Sequence, residues 1–182
     1  SEAQKLGAMF FYGSARCGRC HTGPLLSDQR YHNTLVPQIG PGWPDNAPFD
    51  HGRENVSQDP ADRFAFRTPP LRNVEHSAPY MHNGSVVGLE AAIRVHLDPR
   101  SALAGPALGP DGVHVEGDPA VSAEIAQTLD ADAAPLRPLV DAEIAQLVAF
   151  LQQLTSETEL RIFPGAGEPA SVPSGLEVDR VI

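Results

Sequence analysis

Two cysteines and a histidine carry the clearest chemistry in this sequence. Cys17 and Cys20 are the two cysteines of the chain, and His21 follows the second one directly. Thiols at this spacing on one helical turn reach the two vinyl groups on one edge of a porphyrin, and the imidazole that follows then lies under the iron. The motif therefore predicts one covalently attached haem c with His21 as its proximal ligand.

Three other kinds of site use similar residues. A disulfide between Cys17 and Cys20 would close a very small loop and stabilise the fold little. A thioredoxin-type redox site should follow a buried strand, whereas the preceding run GAMFFYGSAR is typical of a helix end and a turn. A structural zinc site needs a fourth ligand and usually a second Cys or His pair. The haem interpretation uses both cysteines, and we favour it over these three.

The sequence offers two candidates for the sixth ligand of the iron. Met81 follows His21 at a spacing similar to that in small class I cytochromes c. His96 lies on the apolar face of a predicted helix, where an unpaired polar group would be costly. Neutral imidazole is a common metal ligand. The spacing therefore favours Met81, and the helix face favours His96.

The periodicity of apolar residues predicts a mostly α fold. We expect helices from about Glu2 to Tyr12, from Leu89 to about Leu97, from 119 to 129 and from 141 to 154, the first capped by Ser1 with Gln4. Residues 32–70 and 101–118 are rich in Gly and Pro and show no period. We therefore predict a cytochrome c-like domain over 1–162, with long loops that wrap the haem, a loop-rich insertion at 101–140 and an extended arm at 163–182.

The charge balance limits the partners of this chain. Its 23 acidic and 13 basic residues give a formal net charge of −10, which argues against nucleic acid and favours a basic docking partner. No run approaches the roughly 18 apolar residues of a membrane span. The chain opens without a signal peptide, so we expect that any export signal has been removed.

Three runs of the sequence carry a family resemblance. GAMFFYGSARCGRCHTGPLLSDQRYHN, PADRFAFRTPPLRNVEHSAPYMHNGSVVGLEAAIRVHLDP and DAEIAQLVAFLQQLT resemble the C-terminal haem domain of the bacterial di-haem cytochrome c peroxidase and MauG family, and the closing VPSGLEVD resembles the tail of many members. The resemblance is weakest over 101–140. It implies an electron-transfer haem, beside an N-terminal domain that carries a peroxide-reacting haem in that family. Because one haem motif is present, we expect a split or processed protein with a second haem chain, or a mono-haem offshoot.

The resemblance also implies roles for individual residues. His96 falls where the family places its distal ligand, which is Met in the classical peroxidases and Tyr in MauG, so His96 is favoured and Met81 is the runner-up. Two imidazoles would give a lower potential than a His/Met pair. The matched segments further imply the following residues: Arg67 and Arg72 as partners of the haem propionates or of surface acids, Tyr80 and His82 at the haem edge, and Ser77 and Pro79 as backbone ligands of a possible calcium ion. His32 is a candidate for bonds to propionates or backbone.

Two classes of function follow. The first is a c-type haem protein that transfers electrons between a redox protein and a second haem or redox site. The second is a haem peroxidase or a MauG-like oxidase that acts with a second haem domain or chain, which needs an open iron and an acid/base group such as His82 or His96. A third role is a haem subunit of a larger complex. Haem attachment implies the periplasm or another extracytoplasmic location.

Overall fold

The computed structural model describes residues 1–38, 49–104, 119–130 and 133–156. Within these ranges the chain is rich in helix and has little sheet, as predicted. The helices are α1 (Glu2–Tyr12), α2 (Glu54–Ser57), α3 (Leu89–Leu97), α4 (Pro99–Ala104), α5 (Pro119–Gln127) and α6 (Asp141–Gln152), with short 3-10 helices at Cys17–Arg19, Pro60–Asp62 and Val74–His76. The predicted arm at 163–182 lies outside the described residues.

The N-terminal helix has the predicted start and end. The hydroxyl of Ser1 accepts a hydrogen bond from the main-chain N–H of Gln4, and the Gln4 side chain returns a bond to the cap residue. This capping box satisfies main-chain N–H groups that have no partner inside a helix. The helix ends at Tyr12, one residue before Gly13.

The main core lies where α1 crosses α6 and α3 packs beside them. Its buried side chains include Phe11, Ile93, Ile144 and Leu147. Each large apolar side chain buried there contributes about 1.5–3 kcal/mol from removal of its surface from water. The residue at the crossing is Gly7, because a Cβ there would lie 1.9 Å from the main-chain oxygen of Gln146. The two helix backbones therefore touch almost directly.

Two smaller clusters hold the loops on this core. The first joins Leu35 and Phe64 to Ile125 of α5, and so connects the long loop regions to a helix distant in sequence. The second places Val86 against Ala92 and Val95 of α3. Loop segments that lack a period of their own are thus fixed through a few large apolar contacts.

Two local predictions need correction. Residues 101–104 are not loop, because a new helix, α4, begins at Pro99. Proline suits the first helical turn, and the carboxylate of Asp98 accepts a hydrogen bond from the N–H of Ser101 at 3.2 Å. The other difference is a pair of antiparallel two-residue strands, β1 (Tyr31–His32) and β2 (Phe66–Arg67). They are far apart in sequence, so no hairpin pattern marks them.

The close crossing of α1 and α6 gives the first testable prediction. We expect Gly7→Ala to lower the free energy of unfolding by about 1–3 kcal/mol. The added Cβ must push the two backbones apart, and this cost exceeds the roughly 1 kcal/mol by which alanine favours a helix over glycine. Denaturant titration of the haem-loaded protein measures the change. Met9→Ala on the exposed face of the same helix is the control, since Met9 is 69% exposed. An unchanged Gly7→Ala protein would contradict the crossing.

Candidate functional site

The attachment motif lies on a tight turn directly after α1. Cys17 begins the 3-10 helix, and the main-chain N–H of His21 donates to the Cys17 carbonyl at 2.9 Å. Arg16, immediately before, adopts the left-handed conformation with φ of 62°, and this turns the chain out of the helix direction. Both cysteines are free thiols and both are half-buried. The fold therefore presents the two thiols and the imidazole from a single turn.

The Cys17 thiol is embedded in the edge of the main core. It packs against the buried cluster of α1, α3 and α6, and its Sγ lies 3.8 Å from the Ala15 carbonyl oxygen. Burial raises the pKa of Cys17 to about 11, and the nearby Cys20 thiol adds to the increase. At neutral pH this side chain is therefore a neutral thiol in apolar surroundings.

The His21 ring is fixed in orientation and in protonation. Its Nδ1 lies 3.0 Å from the main-chain oxygen of Leu26. Because a carbonyl accepts and cannot donate, Nδ1 carries the proton and Nε2 keeps its lone pair. Burial and, to a smaller extent, His96 lower the pKa of His21 to about 4, although the backbone of Leu26 and of Pro69 and the charge of Asp28 act in the opposite direction. The ring is thus neutral at neutral pH.

His96 repeats this arrangement on α3. Its Nδ1 lies 2.8 Å from the Ala92 carbonyl, one turn earlier in the same helix. Nδ1 therefore holds the proton here also, and burial lowers the pKa of this imidazole. The side chain is nonetheless accessible from outside. Solvent therefore reaches part of the His96 side chain, while the protein atoms around it still lower its pKa. We interpret this combination as a side chain that lies in a recess of the surface.

The two imidazoles are within range of electrostatic interaction, since His96 contributes to the lowered pKa of His21. His21 comes from the turn that carries Cys17, Cys20 and His21, which we call the attachment turn, and His96 comes from α3. A carbonyl that fixes the Nδ1 proton is the usual way in which proteins orient a histidine ligand. Two thiols on one turn and two neutral imidazoles form a donor set that fits haem c.

A third neutral histidine, His82, lies on the loop that follows Tyr80. Its ring stacks on Phe66, with the ring centroids 3.5 Å apart and the planes 8° apart. Burial lowers the pKa of His82 to about 4, although the charge of Asp50 acts in the opposite direction. Like His96, this side chain is accessible from outside. The stack joins two loop segments through a flat apolar contact.

The remaining predicted residues occupy different positions. The Tyr80 hydroxyl donates to the Val74 carbonyl at 3.0 Å, and Met81 packs against Val86, Ala92 and Val95. Arg67 is exposed and donates to the side-chain oxygen of Gln29 at 2.7 Å. The other residues named from the sequence are exposed: Arg72, Ser77 and Pro79.

One charged cluster beside the attachment turn was not foreseen. His32 lies between two carboxylates, with Nδ1 2.6 Å from Asp130 and Nε2 2.8 Å from Asp28. The sequence suggested propionates or backbone as its partners, and this was wrong. Asp28 lies four positions before His32, which is a weak local signal. Asp130 is 98 positions away, and nothing in the sequence pairs it with His32.

Comparison with known proteins supports the predicted relationship. Cytochrome-c peroxidase IdrP2 of Denitromonas iodatirespirans is 38% identical over 110 residues, which cover 50% of this chain and 30% of that protein. Cytochrome c551 peroxidase of Pseudomonas aeruginosa is 37% identical over 114 residues, with 60% and 30% covered. The crystal structure of a MauG-like protein associated with microbial copper homeostasis superposes with a TM-score of 0.64 at 32% identity, covering 87% of this chain and 48% of that one.

These findings confirm the resemblance to the cytochrome c peroxidase and MauG family. The chain spans 30% of the length of these curated relatives. No protein-family model matches it. None of the helices in the described part of the chain is long and apolar enough to cross a membrane.

The lowered pKa of His82 predicts a sensitivity to acid. The ordinary pKa of about 6.5 applies in the unfolded chain, and the folded value is about 4. As pH falls from 6.5 towards 4, the unfolded state binds the proton first, so stability is lost. The variant His82→Phe keeps an aromatic ring against Phe66 but has no group to protonate. We expect it to reduce the slope of the unfolding free energy against pH in this window by the equivalent of nearly one bound proton.

Denaturant titrations at a series of pH values measure this slope. The same substitution at the exposed His76 is the matched control and should leave the slope as in the parent protein. Equal slopes for the His82→Phe variant and the parent would show that His82 does not remain neutral in the folded state.

Proposed function

We propose that this chain is a c-type haem domain that transfers single electrons. Cys17 and Cys20 form the two thioether bonds, His21 is the proximal ligand and His96 the distal ligand. The observation that carries this proposal is the matched state of the two imidazoles: each is neutral, each has its Nδ1 proton held by a carbonyl, and the two interact electrostatically. The haem, when bound, supplies the one-electron couple of its iron.

The chain's own residues account for the remaining requirements of electron transfer. The carbonyls of Leu26 and Ala92 hold both rings in place, so that little rearrangement accompanies a change of charge. Desolvation by the surrounding protein lowers the pKa values of His21, His82 and His96, so that all three rings are neutral at neutral pH. Two imidazole ligands favour a lower potential than a His/Met pair. The Gly/Pro-rich loops would then close over the porphyrin.

Further assignments follow from the family resemblance. We propose that Arg67 and Arg72 approach the propionates when haem is bound, and that Tyr80 and His82 pack at its edge. Calcium binding through the carbonyls of Ser77 and Pro79 stays a prediction, because a calcium ion takes six to eight oxygens. The relatives' length supports a second haem domain or chain as partner, and haem attachment supports an extracytoplasmic location.

A peroxidase or MauG-like oxidase is the alternative function, favoured by the names of the relatives. It requires an iron without a firmly held sixth ligand and a group that handles protons. His82 is suited to the second role, since it is neutral and accessible. In that case His96 would not bind the iron. The state of His96 therefore discriminates the two functions.

Replacement of the distal ligand tests the assignment. We expect His96→Ala to convert the ferric protein from low spin to high spin and to open it to cyanide or imidazole. His96→Met should restore a six-coordinate iron with a higher potential, because a thioether ligand raises it. Met81→Leu is the matched control and should leave the absorption spectrum unchanged. Loss of the low-spin spectrum in Met81→Leu, with His96→Ala unaffected, would assign the ligand to Met81.

The covalent attachment is tested separately. Cys17→Ala and Cys20→Ala should each leave one thioether bond, and the double variant should leave haem that organic extraction removes. Mass spectrometry of the denatured chain and the spectrum of its pyridine complex count the bonds. A parent chain that carries no haem after production in a host with cytochrome c assembly would contradict the proposed function.

A further inference from the structure

The cluster of His32 with Asp28 and Asp130 is a second titratable site next to the attachment turn. Both ring nitrogens of His32 face carboxylate oxygens, at 2.6 and 2.8 Å. A carboxylate accepts hydrogen bonds, so a ring that bonds two of them must donate from both nitrogens. Geometry alone therefore makes His32 an imidazolium in this arrangement, in contrast to the neutral rings of His21, His82 and His96.

The cluster is mostly removed from solvent. The side chains of His32, Asp28 and Asp130 are 15%, 13% and 31% exposed. One positive and two negative charges leave a net charge of −1, and loss of the imidazolium proton would leave −2. In a partly buried site such a change acts on neighbouring charges with little screening.

The attachment turn is in direct contact with this cluster. The main-chain N–H of Asp28 donates to the Cys20 carbonyl at 2.8 Å. A nitrogen of His32, a carboxylate oxygen of Asp28 and the Cys20 sulfur lie within 4.8 Å of one another. Since Cys20 is a proposed thioether residue, the cluster lies against the edge of the proposed haem. Asp28 also contributes to the electrostatic environment of His21.

The groups that face His32 favour the protonated, positively charged form of its ring. Asp28 comes from the attachment segment and Asp130 from the end of the segment after α5. From the β2 side, Thr68 donates from its hydroxyl to Asp28, and Phe66 stands opposite His32 in the strand pair. Burial opposes the charge on His32, but the two carboxylates outweigh it and raise its pKa above the ordinary value.

We propose that His32 takes up a proton when the neighbouring haem is reduced and releases it when the haem is oxidised, so that one proton is coupled to one electron. This inference rests on the proposed function. The electron comes from a one-electron donor protein, the proton comes from solvent, and the proton resides on the His32 ring between Asp28 and Asp130. An added electron makes the surroundings more negative and therefore favours the imidazolium.

The direction of the pH effect follows from this linkage. The pKa of His32 is higher with reduced than with oxidised iron, so a pH window exists in which reduction brings in a proton. This window lies above pH 6.5, since the two carboxylates raise the pKa in the folded protein. The reduction potential should be constant at pH values below the window and should fall with rising pH inside it. The slope of this fall should correspond to at most one proton taken up per electron. Above the window the potential should be constant again.

Spectroelectrochemical titration of the haem-loaded protein between pH 5 and 10 measures this dependence. We expect His32→Gln to abolish the alkaline fall in potential. Asp130→Asn keeps the imidazole and removes one carboxylate, so it should move the window to lower pH. His76→Gln, at an exposed histidine, is the matched control and should leave the curve unchanged. Nuclear magnetic resonance titration of the His32 ring in both redox states provides an independent readout.

The outcomes separate the two proposals. A protein without a reversible haem couple contradicts the proposed function itself. A normal couple whose potential shows the same pH dependence in the parent, in His32→Gln and in Asp130→Asn overturns the His32 inference alone. The inference is supported by loss of the fall in His32→Gln together with a window displaced to lower pH in Asp130→Asn.

Discussion

The orientation of two imidazole rings by main-chain carbonyls is the constraint on which the site depends. A histidine that binds iron must be neutral, must present a lone pair and must point in one direction. The Leu26 carbonyl fixes the Nδ1 proton and the orientation of the His21 ring, and the Ala92 carbonyl does the same for His96. Desolvation lowers the pKa of both rings. Local hydrogen bonding and desolvation thus give both imidazoles the neutral state that the proposed ligand pair requires.

The packing of the helical core positions the two elements that carry these rings. α1 leads directly into the attachment turn, α3 carries His96, and α6 packs against both through Phe11, Ile93 and Ile144. The close approach at Gly7 fixes the distance between α1 and α6. A change in this crossing would therefore reach the site, because it would move the end of α1, which leads into the 3-10 helix that begins at Cys17.

Electrostatics divide the histidines of the site into two groups. His21, His82 and His96 meet carbonyls, aromatic rings or the desolvating interior, and they stay neutral. His32 meets two carboxylates and is charged. A neutral imidazole suits a metal ligand, and a charged one suits a reservoir for protons. The same residue type thus serves two purposes within a short distance, according to the partners that the fold supplies.

Local patterns in the sequence predicted a substantial part of this structure. The capping box of Ser1 and Gln4, the apolar stripe of α3 and the helix α6 were all evident, since each depends on residues within a few positions. The same stripe predicted that His96 points inward, whereas its side chain is exposed in the structure. The partners of His32 and the strand pair of Tyr31 with Arg67 were not evident, because they join segments that are distant in the chain. The start of α4 was missed because residues 101–118 were interpreted as one Gly/Pro-rich stretch and Asp98 was not recognised as a cap.

The low-temperature electron paramagnetic resonance spectrum of the ferric, haem-loaded protein tests the central claim most directly. A ligand pair of His21 and His96 predicts a purely low-spin signal typical of two imidazoles. A substantial high-spin signal would mean an open iron site, would contradict the assignment of His96 and would favour peroxide chemistry.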